Sequence, residues 1–155
     1  MIKSSFRLSN ELYPLDDIRV IDGDTIEATI VLAFGTRVQK RIRLKGWWAD
    51  EPVGIFASAG LAAKALLEKW CHQRILWLHS PSCRLDRYGR VVGSLIWQGQ
   101  IVPGKAVLGS FQLTEAEHKA RRDQNAAAAH RPPTTGYDSA ATGGKPPYRD
   151  GAEAS

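Results

Sequence analysis

The stretch DIRVIDGDTIEATIVLAFGTRVQKRIRL, residues 17–44, decides the fold. From Asp17 to Val20 apolar residues fall on alternate positions, Asp22-Gly23-Asp24 breaks the run with a glycine turn, and Ile26, Ala28 and Ile30 take up the alternation again. A period of two belongs to half-buried strands, so this stretch reads as strand, bend, strand. Gly35 then turns the chain into Thr36 to Leu44. There Val38, Ile42 and Leu44 share one face with Lys40, while Arg37, Gln39, Arg41 and Arg43 share the other. The first face packs; the second is cationic.

Outward from this segment, the spacing of Ala63, Leu66, Leu67 and Trp70 predicts a helix over Ser58 to Trp70, with Ser58 as its cap. Two further strands are expected at Arg74 to His79 and Val91 to Trp97. They are joined through the Pro81 loop and the turn DRYGR (86–90), and Gln98-Gly99 turns on into Ile101-Val102. A second helix is expected from Thr114 to about Ala127, with Thr114 as cap and Glu117 in the capping-box position. Five short strands with a helix inserted after the third predict a mainly β, α+β fold, a small closed barrel of the OB type, with a sandwich as the alternative. Residues 1–14 are read as an N-terminal extension and 15–124 as the folded domain. The tail 125–155 is rich in Ala, Gly, Pro and Ser/Thr, and is read as disordered.

The 155 residues allow one domain of ordinary size. No apolar run approaches a membrane span, and the N-terminus carries no continuous apolar signal core, so a cytoplasmic location is expected. Cys71 and Cys83 stand in no zinc spacing. The net charge of +5 is carried by residues 1–125, with 18 Lys/Arg against 13 Asp/Glu, a surplus compatible with a polyanion ligand.

Three pieces carry the chemistry: VIDGDTI (20–26), RIRL (41–44) with the loop that ends in Glu51, and DRYGR. Asp22 and Asp24 flank a glycine, so one can turn inward and the other toward a hard cation; oxygen-only donors suit calcium or magnesium. An Asp-Gly turn with a hydrogen-bonding aspartate is the plainer reading. Arg43 and Arg90 could clamp a phosphate if the fold brings them together, and Glu51 could hold an attacking water. His72, His79, His118 and His130 fall in no ligand spacing and read as incidental.

Taken in order, VIDGDTI, an Arg-x-hydrophobic strand entering a loop that ends in Glu, a helix, and D-x-Y-G-R before an apolar strand resemble the staphylococcal nuclease (thermonuclease-like) family, over residues 15–123. The resemblance implies a five-stranded barrel with three helices that hydrolyses DNA or RNA phosphodiesters with calcium, or alternatively magnesium or manganese. By position it implies Asp24 as metal carboxylate and Asp22 as its supporting neighbour. It gives catalytic roles to Arg43 and Arg90, as the phosphate pair, and to Glu51, as the residue that handles water.

The departure lies in KRIRLKGWWADEP (40–52). Aligned without a gap, Trp48 stands where the family has a second metal aspartate, and Glu51 is kept. With a two-residue insertion, Asp50 takes the metal position and Val53 stands at the glutamate. A shifted loop would let Asp50 reach the metal while Glu51 keeps its role. Trp48 and Tyr88 are candidate substrate contacts by stacking on bases, against packing as the plainer alternative. Two functions follow: a metal-dependent nuclease with little sequence preference, or a nuclease-fold module that binds nucleic acid or a protein partner without cleaving it.

Overall fold

Three antiparallel strands, β1 (Leu12–Asp22), β2 (Thr25–Val31) and β3 (Arg37–Leu44), form the meander that the alternation requires. The structure is a computed structural model that describes residues 11–132. Leu15 lies opposite Ile30, and Ile26 lies between Val20 and Ile42, so the apolar sets of all three strands meet on one side. Strand β1 bends at Asp17, whose φ is +50°, where the register shifts between Asp16 and Arg19. The bulge lets its first residues, Leu12 to Pro14, pair with β4 (Trp77–His79), and the rest pair with β2.

Strand β4 pairs antiparallel with β5 (Val91–Trp97), and β5 runs parallel to β3, Ile42 opposite Val91 and Arg43 opposite Val92. That seam closes a five-stranded barrel, as the strand pattern predicts, and the sandwich falls away. A two-residue β6 (Gln100–Ile101) adds to the outer edge of β5. The barrel is filled by Val20, Ile26, Ala28, Ile42, Leu44, Leu78 and Leu95, with Trp47 plugging one end at 1% exposure and donating its indole N–H to the Val102 carbonyl at 3.2 Å. Burial of these side chains supplies the main drive for closure, about 2 kcal/mol for each large one.

Helix α1 (Ala57–Cys71) caps the barrel, but its details differ from expectation. Ser58 does not cap it; Phe56 holds that position, with no side-chain bond. Leu66 is exposed, and the buried stripe is Gly60, Ala63 and Leu67. Small residues win because α1 sits nearly on backbone: a Cβ at Gly60 would lie 2.2 Å from the Glu51 carbonyl oxygen. A short α2 (Gly104–Leu108) completes the three helices that the resemblance implies; five residues are too few to show a period, so the sequence pattern does not locate it. Helix α3 (Glu115–Ala129) has the expected capping box: Glu117 N–H donates to Thr114 Oγ1 at 3.2 Å, and Thr114 N–H to the Glu117 carboxylate at 2.9 Å.

Two boundaries move. The barrel starts at Leu12, inside the expected extension 1–14, because residues 12–14 complete β4's pairing. The expected disorder from residue 125 is corrected for 125–129, where the alanine run, the best helix former, continues α3. The remainder of the tail from 133 on, and residues 1–10, lie outside the described residues. No helix among the described residues is long and apolar enough to cross a membrane.

Candidate functional site

The β1–β2 bend, the end of β3, the loop 45–51, the turn before β5 and one face of α3 surround an open cleft of ≈ 670 Å³. Asp22, Asp24, Arg43, Trp48, Asp50, Glu51, Tyr88 and Arg90 all line it, so every residue singled out in the sequence meets at one place. Lys45, Arg41, His118 and Arg122 complete the wall.

Gly23 allows the bend to press against the fold. A Cβ there would fall 2.6 Å from that of Ala49 and 2.7 Å from that of Ala63. The contact turns Asp24 inward, to 6% exposure. Its Oδ1 accepts the Thr25 hydroxyl at 3.0 Å and its Oδ2 accepts the Ala49 N–H at 3.2 Å, while Arg43 Nη2 stands 3.4 Å from the same Oδ2. Asp22 accepts the Asp24 N–H at 3.1 Å. Desolvation, and then the neighbouring Asp24 charge, push the Asp22 carboxyl up to about 6.

Arg43 is largely buried. Its Nη1 donates to the Leu44 carbonyl at 2.6 Å and to the Asp24 carbonyl at 3.3 Å. Desolvation, opposed by Asp24 and assisted by the like charge of Arg90, lowers its pKa; a guanidinium starting so high stays charged. Arg90 is aimed by Asp86, which accepts the Arg90 Nε–H at 2.8 Å and the backbone N–H groups of Arg90 and Tyr88 at 2.9 Å each. Desolvation pushes the Asp86 carboxyl up, but these hydrogen bonds outweigh it and hold it below its ordinary value. DRYGR is therefore a turn whose first residue fixes its last. Tyr88 is 60% exposed, its ring flanked by the guanidinium groups of Arg87 and Arg90 at 4.8 and 5.2 Å.

The two tryptophans divide between core and cleft. Trp47 is the barrel plug, while Trp48 is half-buried at the cleft wall, its ring 4.7 Å from the Arg43 guanidinium carbon and 5.1 Å from the His118 ring. Asp50, beside it, is 6% exposed and ion-paired with Arg121 of α3. That guanidinium also lies over Phe56. Glu51 is exposed at the cleft rim.

For a hard divalent cation the structure offers the carboxylates of Asp22 and Asp24 at the cleft wall, Asp24 sharing its Oδ2 with Arg43 Nη2 at 3.4 Å. Two carboxylates suit an ion that completes its shell with water and phosphate oxygens. Asp50 is committed to Arg121, and no group of three His, Cys, Asp or Glu converges among the described residues.

Two residues escaped the sequence reading. His118, dismissed as incidental, has its Nδ1 2.9 Å from the Ala49 carbonyl oxygen, a contact that seats α3 on the loop. Arg121 neutralises Asp50 across 71 residues of sequence. The Thr114 capping box could have pointed to both, since it sets the helical phase that aims positions 118 and 121, one turn apart, at a common side. No model of a known protein family matches the chain, and no curated protein matches it in sequence.

Proposed function

We propose that the cleft hydrolyses phosphodiester bonds of DNA or RNA, with a divalent cation, calcium, magnesium or manganese, and little sequence preference. The observation that carries this is convergence: Arg43 from β3 and Arg90 from the turn before β5 wall one cleft with the Asp22–Asp24 pair and with Glu51. An open cleft lined by Arg41, Arg43, Lys45, Arg90 and Arg122 suits a phosphate-backbone ligand. The ordered resemblance to the staphylococcal nuclease family supports the same reading.

Arg43 and Arg90 hold two oxygens of the scissile phosphate and neutralise the charge that grows on them. Asp86 keeps Arg90 aimed, so little rearrangement is needed at the moment of attack. Glu51, exposed at the rim, accepts the hydrogen bond of a water and directs it in line with the leaving oxygen. Asp22 and Asp24 would hold the cation, which when bound would supply Lewis-acid polarisation of the phosphate. Tyr88 and the edge of Trp48 offer ring surface to bases.

The Asp50–Arg121 pair favours a second reading, a module that binds the nucleic-acid backbone without cleaving it. With Asp50 engaged and Trp48 bearing no donor oxygen, the cation has two carboxylates where a firmer site has more. One experiment separates them: incubate single-stranded DNA and RNA with calcium, magnesium and manganese in turn. Cleavage that EDTA stops, and that Arg43→Ala or Arg90→Ala lowers by about 100-fold, supports the nuclease. Salt-sensitive binding without cleavage in every metal selects the module. Absence of both removes nucleic acid from the cleft.

A further inference from the structure

Phe34 stands fully exposed at the tip of the β2–β3 hairpin, and its backbone is left-handed, with φ +59° and ψ +30°. Phe34 and Gly35 (φ +74°) are the central residues of a turn closed by the Thr36 N–H on the Ala33 carbonyl at 3.1 Å. Consecutive positive φ values are what a type I′ hairpin turn demands, and its favoured pair is Asn-Gly. An aromatic residue at the first position is unfavourable twice over, by backbone strain and by apolar surface left in water. Phe34 forms no part of the described core. Its ring is fully exposed and so is open to a ligand.

Strand β3 runs from this tip to the cleft, carrying Arg37, Gln39, Arg41 and Arg43 along one face. A shallow groove of ≈ 220 Å³ lies beside it, lined by Gln39, Lys40, Arg41, Gly89 and Glu27, and it shares Arg41, Tyr88 and Arg90 with the cleft. The groove's one acid, Glu27, is already held by Arg19 at 3.0 Å, Arg41 at 3.6 Å and the Gln39 amide at 3.0 Å, and Arg37 is paired with Asp16. Against Asp16 and Glu27 stand Arg19, Arg37, Lys40 and Arg41, so the track stays cationic. From Arg43 to Arg37 it spans about 20 Å of strand.

We propose that a single-stranded nucleic acid seated in the cleft continues along β3 and ends at the hairpin tip, where Phe34 stacks on an unpaired base. This rests on the backbone-binding reading of the cleft and extends it to a substrate class, single strands long enough to reach the tip. A basic track with aromatic platforms is how sequence-tolerant single-strand sites are built, and OB barrels take oligonucleotides across strands 2 and 3. Charge complementarity favours this occupant over an acidic-poor protein surface.

The test is fluorescence anisotropy in EDTA, with labelled single-stranded DNA of about 4 and about 12 nucleotides, spanning the range for one such barrel. Phe34→Ala is expected to weaken the longer strand about tenfold and leave the shorter unchanged, and Phe34→Tyr to restore binding. Lys40→Ala is expected to flatten the salt dependence for the longer strand by about one unit. Unchanged affinity of Phe34→Ala for the longer strand, or equal loss for both lengths, overturns the proposal. So does Phe34-dependent binding to anionic lipid vesicles combined with indifference to the oligonucleotides. If Arg90→Ala loses both lengths while Phe34→Ala loses neither, only the hairpin contact fails. If wild-type protein binds neither length, the reading of the cleft fails with it.

Discussion

Arg43 and Trp48 stack at the head of the cleft, guanidinium carbon to ring centroid 4.7 Å, while Arg43 also reaches Asp24 Oδ2 at 3.4 Å. The Trp48 ring therefore supports the Arg43 guanidinium. Trp48→Asp removes that support and adds an anionic oxygen near Asp24 and Asp22. Calorimetric titration with calcium should show affinity raised about tenfold or more, because dehydration of a hard ion is offset mainly by anionic ligands. Unchanged affinity would mean that residue 48 does not face the cation.

Asp50 is buried and its one charged partner among the described residues, Arg121, is only partly covered. Arg121→Ala should cost about 2–3 kcal/mol in urea unfolding, since it strands a carboxylate in the fold, and Asp50→Asn in that background should recover most of the loss. Additive losses from the two changes would show that the pair is not coupled.

The seat of α1 on the Glu51 backbone sets the position of the acid. Gly60→Ala needs space where the Glu51 carbonyl lies 2.2 Å from the new Cβ. If hydrolysis depends on Glu51 and backbone binding on Arg43 and Arg90, turnover should fall at least tenfold while oligonucleotide affinity in EDTA changes little. Loss of binding equal to loss of turnover would point to general disruption instead.

His118 has its pKa lowered, first by desolvation and then by Arg43 and Arg122, against the Ala49 carbonyl and Glu51, which raise it. A base whose folded pKa lies below its unfolded value of about 6.5 binds its proton more readily once unfolded. Its effect on stability is thus absent at neutral pH and grows unfavourable as pH falls below about 6.5. His118→Gln should flatten the fall in melting temperature between about pH 7 and pH 5. A slope equal to wild type would remove His118 as its source.

Phe34 adopts the conformation that asparagine prefers. Phe34→Asn should raise stability by about 1 kcal/mol, read as a higher urea midpoint at unchanged slope. A fall would show that the aromatic ring stabilises the hairpin by contacts of its own.

The alternation in residues 17–44 made the meander legible, because each strand buries one face only and leaves the other wet. Capping chemistry made α3 legible for the same kind of local reason. What stayed hidden was non-local or very short: the pairing of Arg121 with Asp50, the Gly60 seat, and the five residues of α2. The motifs could name Asp24, Arg43, Glu51 and Arg90, and the strand count could suggest a barrel. Their convergence depended on a parallel seam that no local pattern announces.

That seam, β3 beside β5, joins residues about fifty positions apart, with Arg43 opposite Val92. Contacts of such sequence separation form late, since a long loop must close before any of its hydrogen bonds can contribute. Arg90 enters β5 immediately before the seam, so the two arginines become neighbours only when the final pairing is made. A nascent or partly unfolded chain therefore carries the acids of the first hairpin without the cationic clamp. The complete cleft is thus a property of the closed barrel, and any ligand binding there should report that state, with little arising from partly folded forms.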